Sequence, residues 1–551
     1  MCIRDSAMPV LCYNMSLQAA RKKRGDEADA AAEAEIRQLV ERNTVRGREY
    51  SSLSKQEVEG SIPLHLFLKD KIVGGEYERM KGRAVVLGNL QDRSQYSHSE
   101  TSAPTVSLLA IMVIVVLAIK LDMQSMSFDV TGAYLYANMK KRVMIKFPPH
   151  LARILIRIAP EFEMYLAPDG CVYCDLLGAL YGTIEAAKLW YDHMSATMLK
   201  LGFKVNALEP CVFVRGTGAE WVIVTLYVDD GKAFCATRHI LVQLQRDISA
   251  AYTATFNFDL KSQYIGMWFD FTVPGQCSIS MPKLIDDVLS DLQVKGASKY
   301  PHDANLYVVD ENSPLLDDKR TKVFYSVVYK LYYAAIRVEV RIQVAVHFLS
   351  TRVTKSTEQD WGKLMKVLRY LNCTERGVML LKPDNEPLQS ESFIDVGHAV
   401  HMNMRSQVGS VTQLNRATIY VRTAIIKTPA KSSTESEQLG LSEEASVALW
   451  VNEFLFSMGM CPACAIVRED NTATIMLLNN GRSTSSRTRH IKIRHFWLKH
   501  HIDTGDIKLV WVEGRKQLAD ALSKPVVGTL FVEHFDAIHG VPLVYRADYP
   551  R

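Results

Sequence analysis

At 551 residues the chain is too long for a single hydrophobic core and long enough for two to four domains. Its 48% hydrophobic and 23% charged residues exclude a disordered or fibrous chain, and a net charge of +5 leaves any polyanionic partner to be argued from where the charge sits. Ten irregularly spaced cysteines exclude a disulfide framework and fit a reducing compartment. The CxxC pairs Cys171/Cys174 and Cys461/Cys464 lie far apart, where a zinc ribbon needs roughly 15 to 20 residues between pairs, so they read as small buried side chains.

In chain order, "MCIRDS" resembles translated adapter sequence and is set aside from fold reasoning, and no signal peptide follows it. Residues 15–60, with "RKKRGDEADAAAEAEIRQLVERN", predict a solvated helix or a disordered lead-in. The most apolar run, "VSLLAIMVIVVLAI" (106–119), falls short of the roughly 18 to 20 residues a membrane-spanning helix requires, and reads as a buried element. From 61 to 295 strand-like and helix-like segments alternate. Apolar residues at helical spacing in "YKLYYAAIRVEVRIQVAVHFL" and "WGKLMKVLRYL" predict helices between 322 and 372. "KPDNEPLQSES" (382–392) is the best linker, and a second mixed α/β segment and a short aromatic tail follow it.

Two constellations of acids carry chemistry. In "VTLYVDDGKAF" (224–234) an apolar run breaks at Asp229, Asp230 and Gly231 and then resumes, which predicts a β-hairpin with the acids at its turn. Asp129 in "MSFDVTGAYLYANM" follows the buried 106–119 element, and burying it without a partner would cost several kcal/mol. On adjacent strands the three aspartates would form a cage for two Mg²⁺ ions, as nucleotidyl transfer requires. The order "FDVTGAYL", "ALYGTIEAAKLWY", "LGF", "LYVDD" resembles the reverse transcriptase of copia-type LTR retrotransposons. The resemblance implies Asp129, Asp229 and Asp230 as metal ligands, Tyr134 beneath the incoming sugar, and Glu185 close to the triphosphate, where the family has Gln. "ERMKGRAVVLGN" resembles its fingers strand, with Lys81 and Arg83 on one face able to clamp a triphosphate. The helical block is similar to the family's thumb and connection, which grip the duplex.

Beyond the linker, "SFIDVGHAV", "SSTESEQLGLSEEASVALW", "VREDNTATIMLL" and "RKQLADALSK" resemble the ribonuclease H that follows the polymerase in the same family. Block by block this implies Asp395, Glu435, Asp470 and Asp520 as four metal-binding carboxylates that activate water to cut RNA in a hybrid. "GRSTSSRTRHIKIRHFWLKHH" (481–501), basic and without acids, suits a polyanion held by Arg487, Arg489, Lys492 and Arg494, with His490 positioning substrate.

The expected fold is an α+β and α/β multidomain chain: a right-hand polymerase of fingers, palm and thumb, then a ribonuclease H-like mixed sheet. Its parts are a lead-in (1–60), fingers and palm (61–295), helical thumb and connection (296–385), ribonuclease H-like domain (386–530) and tail (531–551). Expected partners are RNA template, DNA primer, RNA/DNA hybrid and dNTPs, with Mg²⁺ (or Mn²⁺) as cofactor and no membrane. The expected location is cytoplasmic, in virus-like particles, with nuclear access. Thr131, Gly132, Gly231, Gly397 and His398 depart from the family pattern, and no protease or integrase segment is visible. The chain therefore reads as the carboxy-terminal part of a larger polyprotein. The alternative is a catalytically degenerate remnant that only binds nucleic acid; a cellular DNA polymerase would explain the hairpin but not the nuclease.

Overall fold

Ala28, Ala32, Ile36 and Leu39 recur every three or four residues, so the helix Asp26–Glu41 presents a narrow stripe of small and aliphatic side chains. In the computed structural model, which describes residues 15–73, 76–480 and 489–546 without the side chains of 71–73, 76, 480 and 489–493, that stripe is buried against the strand Glu76–Val86. The approach is close: a Cβ on Gly82 would meet the Ala31 carbonyl oxygen at 2.8 Å. The stretch expected as a solvated or disordered lead-in is thus part of a core. Alanine hides such a face from hydropathy, because it is small enough to let a helix sit directly on a sheet but adds little apolar area.

That sheet has six strands, ordered Met15–Ser16, Ile62–Val73, Asn138–Phe147, Val172–Gly178 and Val45–Gly47, with Glu76–Val86 on the free side of Ile62–Val73. A second six-stranded sheet runs Ala254–Asn257, Gln124–Val130, Asp230–Cys235, Val222–Tyr227, Val212–Arg215 and Lys204–Val205. Behind it lies the helix Leu108–Lys120, in which every residue from Ala110 to Ala118 is buried. A helix apolar all round needs a neighbour on every side. Its neighbours include Ile223 and Phe234 of the second sheet and the later residues Val411 and Ile419 in one continuous core.

The sheet of Lys261–Tyr264, Met267–Asp270 and Cys277–Ser280 is completed by Val378–Leu381, so it crosses the expected boundary between palm and thumb. Between those strands the helices Asp318–Ala335, Gln343–Ser350 and Glu358–Cys373 form the expected helical block. Asp317 caps the first helix, and Thr357 with Asp360 makes a capping box on the third.

The 382–392 linker is pinned in place. Lys120 Nζ donates to the carbonyls of Asp384 and Glu386 at 2.8 and 2.7 Å, and Asn415 Nδ2 donates to Asp384 Oδ1 at 2.7 Å. Beyond it a five-stranded mixed sheet runs Ala417–Ile425, Gln407–Leu414, Ser390–Gly397, Ala465–Glu469 and Ile507–Trp511; the first three strands are antiparallel and the last two parallel. The long helix Ser433–Ser457 packs across it. The expected tail is also structural: Phe531, Phe535 and Ile538 of the helix Thr529–His539 are buried in the shared core.

Candidate active sites

The hairpin expected around residue 229 is present, and its register decides what the acids can do. Strands Val222–Tyr227 and Asp230–Cys235 pair with Tyr227 opposite Asp230, leaving Val228 and Asp229 as the turn. Val228 has φ +58, a left-handed conformation that a β-branched residue adopts only under strain. Trp190 Nε1 donates to the Val228 carbonyl at 2.6 Å and holds the turn in that form. On its other edge Asp230 pairs directly with Asp129, and Val130 N donates to the Asp229 carbonyl at 3.0 Å. The three aspartates are therefore neighbours across adjacent strands.

Gly231 follows the pair for a packing reason. It lies opposite Phe128, and a Cβ there would stand 2.1 Å from the Phe128 ring. Burial pushes the Asp230 carboxyl up to about 7, helped by the charges of Asp229 and Asp129. Burial and Asp129 also raise Asp229, while Arg83 and Lys81 oppose that shift. Those two cations lie two apart and exposed on the Glu76–Val86 strand, so the first sheet faces the aspartates with positive charge. Arg83 stacks over Tyr181 with its guanidinium carbon 4.4 Å from the ring centre, and Tyr181 lies 4.6 Å from the ring of Tyr134. Burial, then the Asp229 charge, pushes the Tyr134 hydroxyl up to about 12.

Glu185 lies apart from this group. It is 1% exposed, precedes the helix Ala186–Lys200, and lines a small cavity of about 70 Å³ with Glu100, Lys140 and Lys188. Burial raises its carboxyl, and its charged neighbours are Lys141, Glu100 and Lys140.

A second cluster forms on the five-stranded sheet. Asp395 is buried on the central strand Ser390–Gly397, which runs parallel to Ala465–Glu469 with Phe393 beside Arg468. Continuing that register brings Asp470 alongside Asp395. Ser523 Oγ donates to Asp395 Oδ2 from the short helix Asp520–Ser523, and Lys524 Nζ lies 3.4 Å from the same oxygen while pairing with Asp520. Burial raises Asp395 and Asp470, and Lys524 opposes both shifts.

Glu435, expected to supply the second carboxylate, is turned elsewhere. Its backbone N–H bonds the capping Ser432 Oγ at 3.2 Å, and its carboxylate accepts from Lys431 N at 2.6 Å. The glutamate that faces the cluster is Glu437, raised by burial and then by Glu469, Asp395 and Asp470. Glu469 is fully buried and likewise raised by burial. Glu437 Oε2 and Glu469 Oε2 are both buried without a hydrogen-bond partner. Helical phase was the available signal. Gly440, whose Cβ would stand 2.3 Å from Val396, marks where the helix touches the Asp395 strand, and Glu437 precedes it by one turn on that face.

Of the basic segment, Arg487 lies outside the described residues. Arg489, His490 and Lys492 fall in the helix Arg489–Asp503, but their side chains lie outside the described residues too. Arg494 Nη1 is 3.3 Å from Glu443 Oε1, so part of its charge is offset. Among the described residues no group of three or more His, Cys, Asp or Glu side chains stands in metal-holding geometry. The donor chemistry of both clusters nonetheless fits a hard divalent cation: carboxylate oxygens only, mutually repelling, and in the second cluster partly orphaned. No helix among the described residues is long and apolar enough to cross a membrane.

With this geometry in place, residues 50–302 match the family described as reverse transcriptase (RNA-dependent DNA polymerase). The chain is 25% identical over 461 residues to the retrovirus-related Pol polyprotein from transposon TNT 1-94 of Nicotiana tabacum, covering 81% of this chain and 33% of that one. It is 25% identical to the Pol polyprotein from transposon RE1 of Arabidopsis thaliana (87% and 31% covered). It is 22% identical to the truncated transposon Ty1-A Gag-Pol polyprotein of Saccharomyces cerevisiae (89% and 41%). These matches support a copia-type retrotransposon Pol fragment, and the chain spans about a third of the length of the curated plant relatives it matches. Among solved structures, a foamy viral protease-reverse transcriptase in complex with RNA/DNA hybrid aligns with TM-score 0.47 at 9% identity, covering 95% of this chain and 56% of that one.

Proposed function

We propose that this chain is an RNA-directed DNA polymerase that extends a DNA primer on an RNA or DNA template, joined to a ribonuclease H that cuts RNA in RNA/DNA hybrids. The observation that carries the reading is the direct pairing of Asp230 with Asp129, with Asp229 at the adjoining turn. Three carboxylates crowded together at the ends of two interior strands have a use when divalent cations neutralise them. Two Mg²⁺ ions per centre would be held by Asp129, Asp229 and Asp230, and by Asp395, Glu437, Asp470 and Asp520, once those side chains draw together. Such ions, when bound, supply charge stabilisation for the attacking and leaving oxygens of phosphoryl transfer.

The rest falls to the protein's own side chains. Lys81 and Arg83, exposed on the fingers strand and acting on Asp229, hold the phosphates of an incoming dNTP. Tyr134, packed against Tyr181, occupies the space beneath the sugar where a 2′-hydroxyl would fall. The helix Arg489–Asp503 packs on the long Ser433–Ser457 helix that carries Glu437, and the basic run it belongs to suits the hybrid backbone. Retrotransposon replication in cytoplasmic particles is the setting this chemistry fits.

The experiment is primer extension by the full chain on oligo(dT)-primed poly(rA) with dTTP and Mg²⁺, repeated with Asp229→Asn. Extension lost in the variant supports the polymerase. Duplex binding without any extension in the parent chain would instead support a degenerate remnant.

A further inference from the structure

One side chain in the second cluster breaks the acidic pattern. Lys524 follows the helix Asp520–Ser523 and places its ammonium 3.4 Å from Asp395 Oδ2, in an ion pair with Asp520. Its charge also acts on Asp470 and Glu437. Four of the acids gathered here therefore share one monovalent cation. On the inner side, the buried Oε2 atoms of Glu437 and Glu469 have no partner, so Lys524 does not satisfy the whole cluster.

Lys524 also has a way out. Its side chain is 43% exposed while that of Asp395 is 3% exposed, so the ammonium reaches in from solvent on a flexible four-carbon stem. Gly397 lets the backbone ahead of the lysine sit close to the Asp395 strand: a Cβ there would stand 2.7 Å from the Ser523 carbonyl oxygen and 2.9 Å from Val400 Cγ1.

We propose that Lys524 is the resident cation of the second cluster: its ammonium holds Asp395 and Asp520 together in the metal-free chain and withdraws to solvent when a divalent cation takes the site. This rests on the metal-dependent reading of that cluster. A monovalent ammonium bound to several carboxylates is a competitor that a divalent ion must displace, so the lysine sets both metal-free stability and metal affinity.

The test uses the full chain carrying Asp129→Asn and Asp229→Asn, which weakens the palm cluster as a metal site, with Mn²⁺ as probe. Titration calorimetry on Lys524→Gln in that background should show roughly tenfold tighter Mn²⁺ binding, because no ammonium is displaced. Its melting temperature in EDTA should fall, and Lys524→Arg should restore it. Should Lys524→Gln fail to fold, the parent chain still reports. Amine labelling read by peptide mass spectrometry should be faster at Lys524 with Mn²⁺ than with EDTA. Equal or weaker Mn²⁺ affinity in Lys524→Gln, or a labelling rate indifferent to Mn²⁺, overturns the proposal. If Mn²⁺ binding is absent and Asp395→Asn changes nothing, the metal reading itself fails and the lysine's role falls with it.

Discussion

Glu435 and Glu437 are two residues apart on one helix, and that offset turns them in nearly opposite directions. Glu437 sits over Asp395, whereas Glu435 is engaged with the backbone at Lys431. Hybrid cleavage by Glu437→Gln should fall ~10²-fold or more, and Glu435→Gln should stay within about threefold of the parent, as expected when only one carboxylate serves a two-metal site. The reverse ranking would show that the helix is rotated in the working enzyme. Gly231 offers a test at the first cluster that involves no charge. With its Cβ position 2.1 Å from the Phe128 ring, Gly231→Ala forces that ring or the strand to move and should cost about 1–3 kcal/mol in urea unfolding. A neutral outcome would mean that the two strands do not pair in this register.

The hairpin was legible as an element because an alternating apolar run, two acids and a glycine specify strand, turn and strand locally. The buried 106–119 run was legible as buried, but it lacks the periodicity that separates helix from strand. Only its Ser107 cap, whose Oγ accepts from Ala110 N at 3.1 Å, marks the helix start. The helix Asp26–Glu41 was not legible as core, because half of its buried face is alanine and it meets its partner strand at a distant glycine, Gly82. Glu437 was missed for a related reason: block order gives a position along the chain, while the choice between neighbouring acids depends on helix phase. Gly82→Val should separate that helix from the Glu76–Val86 strand, lowering the melting temperature. It should also weaken primer extension by raising KM for dNTP, since Lys81 and Arg83 flank Gly82 on the strand. Unchanged stability would contradict the close seating of helix on sheet.

From residue 106 onward one core crosses the expected domain boundaries, while residues 17–86 pack with part of 135–180 around a core of their own. The helix Leu108–Lys120, the helices between Asp318 and Cys373, the five-stranded sheet and the terminal helix Thr529–His539 contribute to that core, and Lys120 pins the linker between them. Two histidines buried in that terminal region give the assembly an acid response. Burial pushes His302 down to about 4 and His539 down to about 3, and both are neutral in the folded chain. Unfolded, each takes up a proton near 6.5, so the unfolded state binds more protons below that pH and stability is lost as pH falls from about 6.5 towards 4. Each ring should contribute about 1.4 kcal/mol per pH unit in that window, and His302→Gln with His539→Gln should flatten the slope. An identical slope in the double variant would place the acid sensitivity elsewhere. That two acidic centres act separately within one folded chain is tested most directly by assaying one preparation for primer extension and for hybrid cleavage, with Asp230→Asn and Asp470→Asn compared. The structure predicts that Asp230→Asn loses extension and keeps cleavage, and that Asp470→Asn does the reverse. Extension surviving in Asp230→Asn, or both activities lost together in folded variants, would contradict it.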